Sequence, residues 1–236
     1  MLDPAGRVVL ISGASRGIGR AIAQTLYRQG YALSLGLRDP ASAEPSFRDF
    51  DPARLHLARF VAEDWATHAA WVSAAAARFG RIDALVNNAG VHSRMTLRAP
   101  DEAELDRLWS VNCKAPLNLI HLALPHLEAS GTGRILTLAS LSGKRVRNDA
   151  VAYNMTKFAA VALSHAARRI GWDKGVRATA LCPSFVATDM TAGAAFPVEE
   201  MTTPNDLAEI VATVLALPNN AAMAEVLVNC RLEDTL

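Results

Sequence analysis

The eight residues Ser12-Gly13-Ala14-Ser15-Arg16-Gly17-Ile18-Gly19 (SGASRGIG) separate an apolar run from a stretch of helix-forming composition. The three glycines permit a tight turn and let another group approach the backbone without Cβ atoms in the way. A turn from a strand into a helix directs backbone N–H groups and the helix N-terminus toward one point, which favours an anion. The spacing Gly-x3-Gly-x-Gly differs from the commoner GxGxxG, so the stretch alone fits either a phosphate cradle or a structural turn.

Short β-rich runs alternate with longer, alanine-rich runs along the rest of the chain, which is typical of βαβ units. Predicted strands cover residues 7–12, 31–37, 55–60, 82–87, 134–139, 176–181 and 226–229. Helical composition covers residues 18–28, 65–79, 101–127, 151–170 and 205–217, whereas 39–52 and 191–204 are predicted loops. The pattern predicts one α/β domain over residues 1–236, a Rossmann-type doubly wound parallel sheet of about seven strands with helices on both faces.

Composition restricts the class of partner and the compartment. Lys and Arg (24) nearly balance Asp and Glu (23), so no charge footprint for nucleic acid or a membrane surface exists and a small-molecule partner is expected. The three cysteines, Cys113, Cys182 and Cys230, have no metal-ligand spacing, which argues against a metal site and a disulfide framework. No apolar run has the length of a signal peptide or a membrane span, so we expect a soluble, cytoplasmic protein.

Two side chains of the helical stretch 151–170 carry candidate acid–base chemistry. Tyr153 and Lys157 are four residues apart and share one helix face, where an ammonium group would lower the pKa of a phenol that titrates near ~10 in water. Ser140 follows a predicted strand, at the edge where open α/β sheets bind ligands. Each of these residues also has an ordinary structural explanation: for the pair, a surface lysine beside a tyrosine, and for Ser140, a serine in a turn. A further polar residue, Asn112, lies in the helical stretch 101–127 and is by itself a weak helix former or a buried hydrogen-bonding residue.

Taken together, these fragments resemble the short-chain dehydrogenase/reductase family. The glycine turn is similar to the family's TGxxxGxG with Ser12 in place of Thr, and NNAG (87–90), Asn112, SLSG (140–143), YNMTK (153–157) and PSFVAT (183–188) follow in the family's order. The resemblance implies that Tyr153 protonates the substrate oxygen and that Ser140, thirteen residues earlier and favoured over Ser142, orients it. It also implies that Lys157 lowers the tyrosine pKa and binds the nicotinamide ribose, and that Asn112 holds a water linking the lysine to solvent.

The same resemblance implies a dinucleotide site, with a cofactor half over residues 1–135 and a catalytic half over 136–236. Leu37 stands where NAD-preferring folds place an acidic residue, and Arg38 and Arg16 are candidates to bind a 2′-phosphate, so NADP(H) is expected in preference to NAD(H). Val61 stands where the family often has an aspartate that contacts adenine, and Asp64 lies too far along to replace it, so adenine binding would be weakened. Ser184, in place of the family's glycine, is a mild departure. The cofactor-binding residues implied are Gly13, Ser15, Arg16, Gly17, Ile18, Gly19, Arg38, Asn87, Ala89, Gly90, Tyr153, Lys157, Pro183, Val186 and Thr188.

The expected reaction is reduction of a ketone, aldehyde or 3-oxoacyl carbonyl to an alcohol, or the reverse. Substrate contacts are expected from residues 92–97, 141–151 and 191–204. The basic cluster Lys144, Arg145 and Arg147 would tolerate an acidic or acyl-carrier substrate, unless it is a solvated loop.

Two rival functions use a similar crevice, a non-catalytic NADP(H)-binding sensor and a methyltransferase. The family resemblance also implies a homodimer or homotetramer paired through the helices that contain Asn112 and Tyr153.

Overall fold

A computed structural model describes residues 1–233 of the chain. Seven strands form one sheet in the order β3-β2-β1-β4-β5-β6-β7, and every neighbouring pair is parallel. The bounds are β1 Val8–Ser12, β2 Ala32–Leu37, β3 Leu55–Arg59, β4 Ala84–Asn87, β5 Arg134–Leu138, β6 Arg177–Pro183 and β7 Glu225–Val228. The predicted doubly wound parallel sheet is confirmed, and each predicted strand boundary lies within two residues of the observed one.

The main helices flank the sheet and agree with the predicted ones except over residues 101–127. That stretch is divided by a π-helical segment, Ser110–Lys114, instead of forming one helix. The bounds are α1 Gly17–Gln29, α2 Pro40–Ala43, α3 Trp65–Phe79, α4 Glu102–Trp109, α5 Ala115–Ala129, α6 Val151–Gly171 and α7 Pro204–Ala216. No helix within residues 1–233 has the length and apolar character needed to cross a membrane.

The predicted loop over residues 39–52 is wrong in part, because it contains α2 and the 3₁₀-helix Glu44–Phe47. Asp39 starts this short helix: its carboxylate accepts hydrogen bonds from the N–H groups of Ala41 and Ser42, and Pro40 occupies the first helical position. The predicted loop over 191–204 likewise contains the 3₁₀-helix Val198–Glu200.

Both faces of the sheet are buried, which explains why its central strands are mostly apolar. In β1, Val9 and Ile11 pack into a cluster with α1 and α7, whereas Val8 and Leu10 pack on the opposite face with α3 and α5. All five residues of β1 are buried. The two hydrophobic layers hold the strands so that their carboxyl ends form one edge.

The strand order reverses between β1 and β4, which are hydrogen-bonded neighbours. In open α/β sheets, ligands bind in the crevice at this reversal, outside the carboxyl ends of the strands. The loops after β1, β4, β5 and β6 all leave the sheet at this edge. The glycine turn and the NNAG segment therefore lie on the two sides of one crevice.

Candidate active site

The loop after β1 is a tight turn whose glycines are required by its geometry. Gly13 and Gly17 have positive φ angles of 70° and 53°, which side chains other than glycine rarely adopt. A Cβ atom at Gly13 would lie 2.9 Å from the Cα of Ala89, and one at Gly19 would collide with Asn88 Nδ2 and the Gly13 carbonyl oxygen. The glycines therefore allow the turn to pack directly against the loop after β4.

Two side chains hold these loops together. Asn88 Nδ2 donates to the carbonyl oxygens of Ser12 and Gly13, both at 2.9 Å. Ser12 Oγ in turn accepts from the N–H groups of Asn88 and Ala89, both at 3.1 Å. Neither Ser12 nor Asn88 was among the predicted contact residues, although both lie inside the motifs quoted above. Asn87 is buried, and its carboxamide has no hydrogen-bond partner among the described residues.

The N-terminus of α1 is suited to an anion. Within the described chain no side chain caps it, and its first turn contains no acidic residue, whereas Asp64 and Asp101 cap α3 and α4. Gly17 faces Thr188 across the crevice, because a Cβ atom there would lie 3.4 Å from the threonine Cγ2. Free N–H groups at a helix N-terminus behind a glycine turn are the features that bind the pyrophosphate of a dinucleotide, so these residues fit such a cofactor.

Ser140, Tyr153 and Lys157 converge as the spacing predicts. Tyr153 and Ser140 line the same cavity, and the Lys157 Nζ lies 5.5 Å from the centroid of the Tyr153 ring. Lys157 Nζ also donates to the Leu138 carbonyl oxygen at 2.8 Å, which ties α6 to β5. A Cβ atom at Gly143 would collide with the backbone of α6 at the Lys157 carbonyl, so this glycine lets the loop after β5 reach the helix.

Burial shifts the pKa values of both titrating groups in opposite directions. Desolvation raises the pKa of half-buried Tyr153 to about 12, although the nearby Ser140 hydroxyl acts to lower it. Desolvation lowers the pKa of buried Lys157 to about 8. The predicted depression of the tyrosine pKa by the ammonium group is therefore not seen in this structure, in which the phenol keeps its proton at neutral pH.

Asn112 lies in the π-helical segment Ser110–Lys114, which interrupts the helix predicted over residues 101–127. Its Oδ1 accepts from the Val91 N–H and its Nδ2 donates to the Val91 carbonyl, both at 2.9 Å. Nδ2 also donates to Thr156 Oγ1 at 3.1 Å, on the same helix as Lys157. Asn112 thus joins the loop after β4 to α6, and Thr156 is a partner that the sequence did not reveal.

Among residues 1–233, the side of the crevice near the end of β2 has arginines but no carboxylate positioned for a ribose. Leu37 ends β2 as expected, Arg38 is exposed, and the Asp39 carboxylate is used in capping α2. Arg16 reaches across the crevice, where its Nη1 lies 2.6 Å from Asp189 Oδ2. Arg59, at the end of β3, donates to the Arg38 carbonyl at 3.5 Å and is a further arginine here.

The remaining predicted contacts lie at the same edge. Val61 follows β3, and Asp64 is used as the cap of α3, so it is not available to replace an adenine-binding aspartate.

The other predicted contacts lie in the loops after β1, β4 and β6. Ser15 is exposed and Ile18 half-buried in the glycine turn, and Gly90 lies next to Asn112 and Lys157. Pro183, Val186 and Thr188 end β6 and begin the following loop, with the Val186 carbonyl accepting from Thr188 Oγ1 at 3.4 Å.

A cavity of about 550 Å³ opens beside Tyr153 and Ser140. His92 lines it with its ring centroid 4.6 Å from that of Tyr153. The cavity size is ordinary for a small-molecule site. Further lining residues come from the three segments expected to contact substrate, among them Arg94, Leu141, Arg145, Arg147 and Thr191. Phe185 and Met190 also line the cavity but lie outside those segments.

The chain is similar to known reductases. A family model for short chain dehydrogenases matches residues 7–196. An agropine synthesis reductase of Rhizobium rhizogenes is 46% identical over 229 residues, which are 96% of this chain and 53% of that protein. The chain thus spans about half the length of the agropine synthesis reductases that it matches.

Solved structures give the same result. A 3-ketoacyl-(acyl-carrier-protein) reductase from Brucella melitensis complexed with NADH has a TM-score of 0.86 at 27% identity, with 96% of this chain and 98% of that chain covered. A metagenomic short-chain oxidoreductase in complex with NADP has a TM-score of 0.83 at 30% identity, with coverage of 98% and 100%. From the fold, the crevice and these similarities we conclude that the chain belongs to the short-chain dehydrogenase/reductase family and is an oxidoreductase.

Proposed function

We propose that the chain reduces a carbonyl group, in a ketone, an aldehyde or a 3-oxoacyl compound, to an alcohol, or catalyses the reverse reaction. The observation that carries this proposal is the convergence of Tyr153, Ser140 and Lys157 beside a cavity whose wall includes Tyr153 and Ser140. A nucleotide sensor would not need this convergence, and a methyltransferase would not use it.

The residues have distinct roles in the proposed reaction. Tyr153, neutral at pH 7, donates its Oη proton to the oxygen that becomes the alcohol, and the Ser140 hydroxyl donates a hydrogen bond to the same oxygen. The Lys157 ammonium group stabilises the phenolate that remains and binds the nicotinamide ribose. Asn112 fixes the loop after β4 and holds the water through which Lys157 exchanges protons with solvent. A bound nicotinamide cofactor would supply the hydride.

The cofactor residues proposed are those that line the two sides of the crevice. The amides at Ser15, Arg16, Gly17, Ile18 and Gly19 would hold the pyrophosphate, and Asn87, Ala89 and Gly90 would contact the adenosine and support the sheet. Pro183, the Val186 backbone and Thr188 would hold the carboxamide. The residues 1–135 would thus form the cofactor half of a single domain, and 136–236 the catalytic half.

We propose NADP(H) as the cofactor in preference to NAD(H). In support, Arg38 is exposed directly after β2, Arg59 donates to its carbonyl oxygen, and the carboxylate of the adjacent Asp39 is engaged in a helix cap. Arg16, in the glycine turn, is exposed as well. Guanidinium groups bind phosphate with charge-assisted hydrogen bonds.

Cofactor preference gives a direct measurement. We expect kcat/KM to be higher with NADPH than with NADH. Arg38→Gln should lower kcat/KM for NADPH about tenfold or more, because a contact with the phosphate is lost. The value for NADH, which has no such phosphate, should change less than about twofold. The exposed Arg98→Gln variant serves as the control and should change neither value. A clear preference of the unmodified protein for NADH would contradict the proposal.

The reaction itself is tested by NAD(P)H oxidation, followed at 340 nm, with a panel of ketones, aldehydes and 3-oxoacyl thioesters. We expect oxidation that depends on substrate and is accompanied by formation of the corresponding alcohol. Cofactor binding without turnover of any carbonyl compound would favour the sensor function instead.

We further propose that copies of the chain pair through α4, the π-helical segment and α6. In support, large apolar side chains of these elements are solvent-exposed in the single chain, among them Trp109, Met155 and Phe158.

A cytoplasmic location is also proposed. All three cysteines are free, in keeping with a cytoplasmic protein whose thiols stay reduced.

A further inference from the structure

The cavity beside Tyr153 has an excess of positive charge in its wall. Its arginines come from three separate loops, those after β4, β5 and β7, and among the described lining residues Asp149 is the single carboxylate. The set is Arg94, Arg145, Arg147 and Arg231. Arginines from three distant parts of the chain meet at one cavity, which is not expected of an ordinary solvated loop.

Two of these arginines are held by a carboxylate of the chain itself. The Glu233 side chain is completely buried, and its Oε2 accepts from Arg145 Nε and Arg147 Nη1, both at 3.0 Å. Burial acts to raise the pKa of Glu233, but the hydrogen bonds from the two arginines outweigh it and hold the pKa below its usual value. Glu233 therefore remains charged and fixes the loop after β5.

The other two arginines are less closely engaged. Within residues 1–233, Arg94 is exposed and takes part in no ion pair. Arg231 lies against the stacked rings of Phe185 and Phe196, with its Cζ 5.9 and 5.3 Å from the ring centroids. It forms only a long ion pair with Glu233, whose Oε1 is 3.9 Å from its Nε. Ring stacking orients a guanidinium group while leaving its N–H donors available.

Neighbouring ionisable side chains do not provide an alternative role for these charges. Lys144, the third member of the basic cluster noted in the sequence, turns away to Glu225, with its Nζ 2.6 Å from Oε2, and does not line the cavity. Partial desolvation and the charges of Arg94 and Lys157 lower the pKa of His92, so its imidazole is neutral at pH 7. The positive charge available to a ligand is therefore that of Arg94 and Arg231.

We infer that the substrate is an oxo acid, whose carboxylate is bound by Arg94 and Arg231 while its carbonyl oxygen is bound at Tyr153 and Ser140. This inference rests on the proposed reduction of a carbonyl group. A carboxylate matches the planar guanidinium donors, and Asp149 in the wall disfavours a dianionic phosphate more than a monoanion. A cavity of about 550 Å³ leaves room for the atoms that join the two ends of such a substrate.

Matched acids and esters test the charge preference separately from turnover. Titration calorimetry would measure the binding of 3-oxobutanoate and benzoylformate, each compared with its methyl ester, to the protein alone and saturated with oxidised cofactor, which prevents reduction. We expect at least one acid to bind about tenfold or more tightly than its ester. Arg94→Gln and Arg231→Gln should each reduce that ratio several-fold without changing the ester's affinity, because a charge-assisted contact is lost.

The exposed Arg169→Gln variant, on α6 outside this cavity, is the matched control and should leave the ratio unchanged. The inference is wrong if no acid binds more tightly than its ester, including the case in which neither binds, or if both cavity variants keep the unmodified ratio. Reduction of ketones regardless of charge would overturn the oxo-acid inference alone. Selective binding of acids without reduction of any carbonyl would overturn the proposed reaction alone.

Discussion

Replacing Tyr153 by phenylalanine should lower kcat for carbonyl reduction by a factor of about 10²–10⁴, the usual contribution of a positioned proton donor. The change removes the Tyr153 hydroxyl group beside Ser140 in the cavity wall, and it leaves the ring beside His92 in place. The cofactor crevice does not depend on this proton, so the Kd of NADPH should change little. Steady-state kinetics and fluorescence titration of NADPH measure the two effects.

Tyr31 provides a matched control for that substitution. Its hydroxyl is buried and has no hydrogen-bond partner among the described residues, and it precedes β2 at the amino end of the strand, away from the crevice. Tyr31→Phe should therefore leave kcat unchanged within about twofold. If Tyr153→Phe retained full turnover, the assignment of Tyr153 as proton donor would be wrong.

The second large effect is on stability, through Lys157. Its pKa is lowered by burial from 10.5 to about 8 in the folded protein. Below pH 8 the lysine is protonated in both states, and the folded state bears the cost of a buried charge. Between pH 8 and 10.5 the folded protein loses this proton while the unfolded chain retains it, so stability rises with pH.

Lys157→Met removes this titration. We expect the free energy of unfolding of the unmodified protein to gain about 2–3 kcal/mol relative to that of Lys157→Met between pH 7 and 10, at 1.36 kcal/mol for each pKa unit. Urea unfolding at pH 7, 8, 9 and 10 provides the measurement, with exposed Lys174→Met as control for the lost charge. If the unfolding free energy of the unmodified protein, measured relative to that of Lys157→Met, stayed constant or fell over this pH range, the charged form of the buried amine would not be destabilised.

The fold was predictable because its determinants are local. Apolar β-rich runs and alanine-rich helical runs alternate with turn residues between them, and they predicted all seven strands of the sheet. The π-helical segment around Asn112 was not predictable in detail, because residues 101–127 have helical composition throughout and the disturbance depends on contacts with Val91 and Thr156. Likewise, α2 depends on how Asp39 accepts from backbone N–H groups, which a stretch with three prolines does not reveal.

The candidate site was predictable where motifs fix the spacing and not where side chains choose distant partners. The YNMTK spacing was sufficient to bring Tyr153 and Lys157 together, and SLSG brought Ser140 to them. Sequence did not reveal that burial would keep the tyrosine pKa high, since that depends on the packing of the whole crevice. Nor could it show that Lys144 binds Glu225 while Arg231, near the other end of the chain, joins the cavity wall.

The exposed contact between Arg16 and Asp189 affects how the crevice would receive a phosphate. Surface ion pairs of this kind contribute only about 0–1 kcal/mol, so a dianion competes readily with the aspartate. Because the guanidinium group is already held at the entrance, accepting a phosphate exchanges one anionic partner for another and does not require a freely rotating side chain to be captured. The entropy of that side chain is thus lost during folding, before any ligand arrives.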